Sequence, residues 1–406
     1  MSQPATKDKL PIQVFILSAV GFFVALGYGL IIPALPLFAE HFHANNTQVG
    51  AIIASFGAAR FLAGLITGKL LDLFGIRAVL TLGLLELAVS MFLTSFSQNF
   101  IELLIFRTIG GLGSSMFSVS VSAEIMRTVK SNYLGRAQSL YSGTFIVGTM
   151  SGPLFGGLLV GISLRAPFFI YAITSIAAAG VSYFRFNSKS EAKIEKNVEN
   201  KDLFSVRKAL QAFPYLAALI FTFSTNFAVF GPRNSIVPLY VTNHLKASNF
   251  TLGVALAFTV LAQGLFLIPA GKISDKAGRR VALFLGAGSL LIGILLATFI
   301  PRIDFFFISM AFYGAGAAFM TTAGANLVGD LFGGIGGKVI AFWQMSGDLA
   351  MVLAPLIIGF ISDISSYQMA FGSTALVIMA VLILVFFLPE TRKEKDNTLS
   401  IPQGRE

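Results

Sequence analysis

Long apolar runs dominate the chain, and short polar stretches separate them. A helix that crosses the hydrocarbon core of a bilayer needs about 20 mostly apolar residues, and the sequence contains twelve runs of this kind. Their approximate cores are 14–38, 48–71, 78–96, 100–123, 136–160, 166–185, 213–241, 251–271, 280–300, 304–328, 339–361 and 367–388. The pattern predicts an all-α membrane protein with twelve transmembrane helices.

A polar stretch at 186–208 divides these twelve helices into two sets of six. It is charged and poor in glycine, and it is long for a connection within a bundle. We therefore predict an N-terminal six-helix bundle at 1–185, a central loop at 186–208, a C-terminal six-helix bundle at 209–388 and a tail at 389–406.

Composition supports a membrane protein and the charges predict its orientation. Only 12% of residues are charged, against about 25% in soluble domains. The net charge of +10 could indicate a nucleic-acid partner, but 23 of the 29 Lys and Arg lie on the side of the membrane that carries the N-terminus. By the positive-inside rule both termini, the central loop and the tail are cytoplasmic. We therefore predict a multi-pass cell-membrane protein that contacts lipid and binds no nucleic acid.

The residues that support enzymatic chemistry are scarce. The chain has no cysteine, which excludes disulfides, thiolate metal sites and a cysteine nucleophile. No cluster of histidines or paired carboxylates falls within the spans, and no P-loop is present. We predict no metal, no cofactor and no enzymatic activity.

The two halves repeat one another at a nearly constant offset. Matching residues are 202 or 203 positions apart, as in the pairs Gly50 and Gly253, Gly68 and Gly271, Gly111 and Gly314, and Pro153 and Pro355. Repeated six-helix halves around a central site are the design of many secondary transporters. We interpret the repeated glycines as packing and hinge points of such a machine.

Two matching loops carry the strongest local motif. GKLLDLFGIR (68–77) follows helix 2, and GKISDKAGRR (271–280) follows helix 8. Both resemble the signature loop of the major facilitator superfamily, although Ile76 stands where a basic residue is usual. The resemblance implies twelve helices in two pseudo-symmetric bundles and a cytoplasmic latch between the halves. The latch residues would be Gly68, Asp72, Gly75, Arg77, Gly271, Asp275, Gly278, Arg279 and Arg280.

Motifs in helices 4 and 5 narrow the resemblance to one family within this superfamily. GTMSGPLFGG (148–157) resembles the antiporter motif of this superfamily, with Gly148, Gly152, Pro153, Gly156 and Gly157 as its members. RTIGGLG (107–113) resembles a motif whose arginine, here Arg107, is implicated in proton transfer; Gly110 replaces the usual glutamine. Together the motifs look like the 12-span drug:proton antiporter family, which implies a monomer that exchanges protons for a small-molecule substrate.

Ionisable residues inside spans are costly and usually functional, and five are clear here: Arg60, Glu86, Arg107, Arg233 and Asp348. Position along helices 2 and 11 brings Arg60 and Asp348 to nearly the same depth. We hypothesise that they pair between the halves in one state and part in another, so that a protonatable Asp348 couples protons to transport. A static pair of Arg60 with Glu86 is the competing interpretation.

Helix 7 is the predicted substrate or gate segment. Gly231 and Pro232 should loosen it, as in the discontinuous helices of transporters. Arg233 either faces the cavity, where it would favour an anionic substrate, or snorkels outwards. The predicted cavity residues are Tyr28, Asn226, Arg233, Asn234 and Asn326.

The resulting prediction is a secondary active transporter that works by proton-coupled efflux of small lipophilic drugs or metabolites. An importer or carrier of an anionic metabolite or lipid in the same superfamily is the alternative.

Overall fold

The computed structural model of the protein describes residues 10–129, 133–185, 206–332 and 337–391, and all regular structure in them is helical. A single turn, Val206–Ala209, precedes α7; most of the predicted central loop and tail lies outside the described residues. The helices are α1 (Ile12–His41), α2 and α3 (the parts of Asn46–Ser95 before and after residue 75), α4 (Phe100–Thr128), α5 (Leu134–Ile162), α6 (Ala166–Arg185), α7 (Phe213–His244), α8 (Asn249–Ala277), α9 (Arg279–Phe299), α10 (Ile303–Phe332), α11 (Gly337–Ile364) and α12 (Tyr367–Phe387).

The all-α membrane fold is confirmed. The predicted second and third spans lie in one helical stretch rather than in two separate helices. Eleven helical stretches of the described residues are long and apolar enough to cross a membrane, and Asn46–Ser95, at 50 residues, holds two crossings. The chain reverses there at Gly75, whose φ of 77° and ψ of 160° break the helix. Gly278 has a φ of 106° at the matching position between α8 and α9. Positive φ combined with ψ near 160° is a region that essentially only glycine adopts, which explains why Gly75 and Gly278 occupy these two positions.

Glycines on α4 bring its backbone against two neighbours at once. Gly111 lies against the α2 backbone at Phe56, and Gly113 lies against α3, where an added Cβ would sit 2.9 Å from the Leu87 nitrogen. Inside lipid the hydrophobic effect does not drive helices together, so small residues that allow close van der Waals packing take its place. The RTIGGLG motif therefore has a packing role in addition to its arginine.

The C-terminal half repeats this arrangement. Gly314 on α10 packs against the α8 backbone at Thr259. Gly316 packs against α9, where a Cβ would lie 2.6 Å from the Leu290 nitrogen and 2.7 Å from the Gly286 oxygen. The 203-residue repeat thus reflects equivalent three-helix contacts in the two halves.

The halves meet along two equivalent seams. In one, α2 packs against α11, and in the other α5 packs against α8; α1 also contacts α7. The repeat relates helix 2 to helix 8 and helix 5 to helix 11, so each seam is the counterpart of the other.

We predict that Gly316→Ala destabilises the protein by about 1–3 kcal/mol, because the new methyl group meets fixed backbone atoms of α9. The melting temperature of the detergent-solubilised protein measures the effect. It is obtained from the protein that remains in the monodisperse peak of size-exclusion chromatography after heating.

Gly288→Ala on α9 is the matched control, because a Cβ there has nothing within 4 Å. Equal melting temperatures for the two variants would contradict the packing role of Gly316.

Candidate functional site

The two seams close tightly at one end of the molecule. We call the end with Gly75 and Gly278 the basic end and the opposite one the far end. Toward the far end, an added Cβ on Gly253 of α8 would lie 2.6 Å from the Pro153 oxygen of α5. At the equivalent place Gly50 of α2 lies against the carbonyl of Pro355 on α11. The backbones of opposite halves are therefore in direct contact here.

The GTMSGPLFGG motif serves two contacts. Gly148, Gly152 and Gly156 lie on the face of α5 that packs against α1 of the same half. The Pro153 carbonyl and Gly157 face α8, and a Cβ on Gly157 would lie 2.8 Å from the Gly253 Cα. One short motif thus holds its own bundle together and forms part of the seam.

A carboxylate at the far end reinforces the α2–α11 seam. Asp363 of α11 accepts hydrogen bonds from the backbone N–H groups of Asn46 (2.9 Å) and Thr47 (2.8 Å) and from the Thr47 hydroxyl (2.6 Å). A negative charge at a helix N-terminus is favourable because orphan N–H groups and the helix dipole meet there. Sequence analysis missed Asp363, because its partners lie 316 and 317 residues away along the chain.

A second polar contact between the halves lies at the far end, where the Asn243 amide donates a hydrogen bond to the Glu40 carboxylate.

The basic end differs from the far end. At the basic end, the two ion pairs of Arg279 stay within the C-terminal half. A Cβ on Gly68 or Gly271 would meet nothing within 4 Å. The structure is therefore closed at the far end, with the halves apart at the basic end.

The predicted latch residues of the second loop form a network within their own half. Arg279 pairs with Asp275 (2.7 Å) and with Asp330 of α10 (2.8 Å). Glu390 accepts hydrogen bonds from the backbone N–H groups of Arg279 and Arg280. Sequence analysis found Arg279 and missed Asp330 and Glu390.

The first loop lacks this network because Ile76 occupies the position that matches Arg279. Arg77 instead stacks on Tyr183, with its guanidinium carbon 4.6 Å from the ring centroid. Asp72 is exposed. Contact of Asp72 or Asp275 with the other half stays a prediction for a state that is closed at the basic end.

Arg60 forms neither expected ion pair in this state. Its guanidinium donates a hydrogen bond of 2.7 Å to Ser114 of α4. Glu86 of α3 lies against Gly113 of α4 and forms no ion pair with Arg60. Asp348 lies across the seam within electrostatic range of Arg60. Pairing of Arg60 with Asp348 remains a prediction for another state.

Arg107 and Arg233 are buried near the centre, one from each half. Arg107 is 3% exposed; its guanidinium lies 4.5 Å from the Phe56 ring centroid, and it donates to the Met91 sulfur. Arg233 is 5% exposed, so it does not snorkel to water. It lies in a π-helical stretch of α7, Val229–Ile236, at the predicted Gly-Pro irregularity.

The predicted cavity residues separate into two groups. Tyr28 and Asn234 come from opposite halves and line the same cavity. With Arg107 they line a cavity of about 20 Å³, which is room for about one water. Asn226 and Asn326 lie elsewhere, bonded within the C-terminal half to Thr222 and Ser274.

Comparison with known proteins identifies the class. The sequence profile of the Major Facilitator Superfamily matches residues 17–232 and 233–405. The chain belongs to the Major Facilitator Superfamily, and it is a multi-span membrane transporter of small molecules, not an enzyme.

Several characterised relatives are drug-resistance proteins. The class H tetracycline resistance protein of Pasteurella multocida is 25% identical over 93% of this chain and 94% of its own length. The quinolone resistance protein NorA of Staphylococcus aureus is 24% identical over 91% of this chain and 96% of its own. An MFS-type transporter of Methanocaldococcus jannaschii is 24% identical over 93% of this chain and 98% of its own.

Solved structures share the fold. The nucleoside transporter NupG superposes with a TM-score of 0.77 at 14% identity, covering 92% of this chain and 99% of that one. A bacterial homolog of the lysosomal transporter Spinster, in an inward-facing unoccupied conformation, also gives 0.77 at 13% identity, covering 92% and 95%. At these identities the likeness concerns the fold alone.

We predict that Asp363→Asn loosens the far-end seam. Hydrogen bonds to a charged group contribute about 1.5–3 kcal/mol each, so the open population should rise by roughly tenfold. Because the natural chain has no cysteine, an Ile53→Cys reporter in the cavity can be labelled with a membrane-impermeant maleimide. Its labelling rate from the far side should rise accordingly.

Asp304→Asn, which removes an exposed far-end carboxylate that bonds only Arg302 in its own half, is the control. Unchanged labelling in Asp363→Asn would show that this carboxylate does not hold the seam.

Proposed function

We propose that this transporter is a secondary active exporter that moves small lipophilic compounds out of the cell in exchange for protons. The observation that carries the proposal is the asymmetry of the two ends: the halves touch at the far end and stand apart at the basic end, with charged residues between. A site at mid-depth that is reached from one side at a time is the arrangement of alternating access. The drug-resistance relatives support small lipophilic substrates.

The basic residues support the direction. With 23 of 29 Lys and Arg at the basic end and in the regions that connect to it, that end and both termini face the cytoplasm. The structure then represents the state that takes up substrate from the cytoplasm. Segments 1–185 and 209–388 act as the two rocking units of a monomer in the lipid bilayer, joined by 186–208.

Proton coupling is assigned to the charged residues around α4 and the α2–α11 seam. Asp348 loses its charge when it binds a proton, which removes its attraction to Arg60 in the opposite half. Glu86, which lies against α4, and Arg107, which belongs to α4, complete the candidate relay. One charge moving through 100 mV gains about 2.3 kcal/mol, enough to bias such a pair.

We expect Asp348→Asn to abolish accumulation driven by a pH gradient and to retain exchange. The neutral amide cannot titrate, so the protein still rocks but no longer links movement to protons. Purified protein in proteoliposomes, assayed for uphill transport under an imposed pH gradient and for counterflow without one, separates the two activities.

Asp304→Asn is the control, because Asp304 lies at the far end, remote from the candidate relay. This variant should keep both gradient-driven accumulation and exchange. Full gradient-driven transport in Asp348→Asn would remove this residue from coupling, and failure of counterflow in wild type across drug-like substrates would remove the proposed export function.

The second candidate is an importer or carrier of an anionic metabolite or lipid. The two buried central arginines favour it, because they suit a negatively charged substrate. Expression in drug-sensitive cells discriminates: unchanged tolerance to lipophilic cations and dyes, together with uptake of a defined acid, would favour this candidate over export.

A further inference from the structure

We propose that Tyr313 of α10 is a positioning residue for closure of the far end. Its hydroxyl fixes an irregular stretch of α7, so that the end of α7 meets α1 of the other half. This role is independent of the substrate, of the coupling ion and of the direction of transport, and it therefore goes beyond the proposed function.

The irregular stretch lies in the part of α7 that leads to the far end. Phe213–Ala228 is α-helical, whereas Val229–Ile236 and Tyr240–His244 are π-helical. The matching helix of the other half, α1, is α-helical over its whole length, Ile12–His41. Because π-helical turns are rare and are frequent at functional sites, this difference between two equivalent helices requires a local cause.

A proline and a tyrosine meet at the start of the irregular stretch. In an α-helix the Ala228 carbonyl would accept the N–H of the residue four positions on, but that residue is Pro232, which has no N–H. The hydroxyl of Tyr313 donates a hydrogen bond to this same carbonyl. Tyr313 is 2% exposed, so bulk water has little access to the bond. A side chain of a neighbouring helix thus supplies a donor where the backbone has lost one.

Proline by itself does not account for the irregularity. The α1 helix contains Pro33 and Pro36 and remains α-helical. At the 203-residue offset Tyr313 matches Gly110 of α4, which has no side chain. The irregular stretch therefore depends on Pro232 and Tyr313 together, a combination that the sequence provides in the C-terminal half.

A second tyrosine fixes the far-end side of the stretch. Tyr240 is fully buried, and its hydroxyl donates to the Ala297 carbonyl of α9 at 3.2 Å. Its ring packs edge-on against Phe371 of α12, with the ring centroids 5.1 Å apart. Tyrosine hydroxyl bonds within the C-terminal half thus hold the irregular stretch on both sides.

The end of α7 takes part in closing the far end. The Asn243 amide donates to the Glu40 carboxylate of α1, and these two positions are equivalent in the repeat, 203 residues apart. The shape of the irregular stretch decides whether they meet. Loss of the bond at Ala228 allows the stretch to change its hydrogen-bond register, and one residue of register turns a helix by about 100°. Asn243 then leaves Glu40, and the far end is less firmly closed.

Pulsed electron–electron resonance measures the closure of the far end. Because the natural chain has no cysteine, spin labels can be attached at Gln98→Cys and Asp304→Cys. Both residues are exposed at the far end, in opposite halves, so the distance distribution of purified protein gives the ratio of open to closed molecules. Tyr313→Phe should raise this ratio by about three- to tenfold, which corresponds to one neutral hydrogen bond. An unchanged ratio would overturn the proposal.

Tyr215→Phe is the matched control. It removes another buried tyrosine hydroxyl that donates to a backbone carbonyl, that of Val339 at 2.7 Å, and Tyr215 precedes the irregular stretch. This variant should leave the ratio of open to closed molecules unchanged. A rise equal to that of Tyr313→Phe would mean that any loosening of the C-terminal half opens the far end, and the positioning role would be refuted.

Pro232→Ala separates positioning from general stabilisation. The alanine restores an N–H that can donate to the Ala228 carbonyl, so Tyr313→Phe should change the ratio by less than about twofold in Pro232→Ala protein. Tyr240→Phe breaks a bond that does not involve Ala228, so it should raise the ratio by the same factor with and without Pro232→Ala. Independent sites give additive effects. Equal effects of Tyr313→Phe in the two proteins would therefore show that its hydroxyl does not act through α7.

Discussion

Direct contact between helix backbones at glycine is the interaction on which the rest of this structure depends. Lipid provides no hydrophobic drive between helices, so close van der Waals packing must hold them. Gly111 and Gly113 let α4 touch α2 and α3 at once, and Gly314 and Gly316 do the same for α10. The seams use the same device at Gly50 and Gly253.

The charged groups at the far end and those at the centre differ in their access to water. At the far end, the carboxylate of Asp363 bonds the exposed start of α2, and water can replace those bonds when the seam opens. At the centre, Arg107 and Arg233 are buried without a carboxylate partner in the described chain. Such charges are expensive inside a membrane and typically mark a functional site.

Local patterns predicted local features well. Apolar runs predicted the spans, and the two repeated motifs were placed in loops, where the structure breaks the helices at Gly75 and Gly278. Partners far away in sequence were not predictable in this way: Asp330 is 51 residues from Arg279, and Asp363 is 316 from Thr47. The sequence offered two acids, Glu86 and Asp348, as alternative partners of Arg60. Residue spacing gives a side chain's depth in the membrane but not the direction it faces, so it could not decide between them. The structure places Ser114 there instead.

The sequence by itself determined the membrane class, the two-fold repeat and the positions where glycine is required, because these follow from hydrophobic length, composition and backbone sterics. Tertiary structure alone decided which end of the molecule is closed and which charges meet. Those features depend on how the halves are rotated about one another, and the same helices with the same local preferences are compatible with more than one rotation. Tyr28 and Arg107 of one half and Asn234 of the other line one cavity, and this arrangement exists only in the assembled seam.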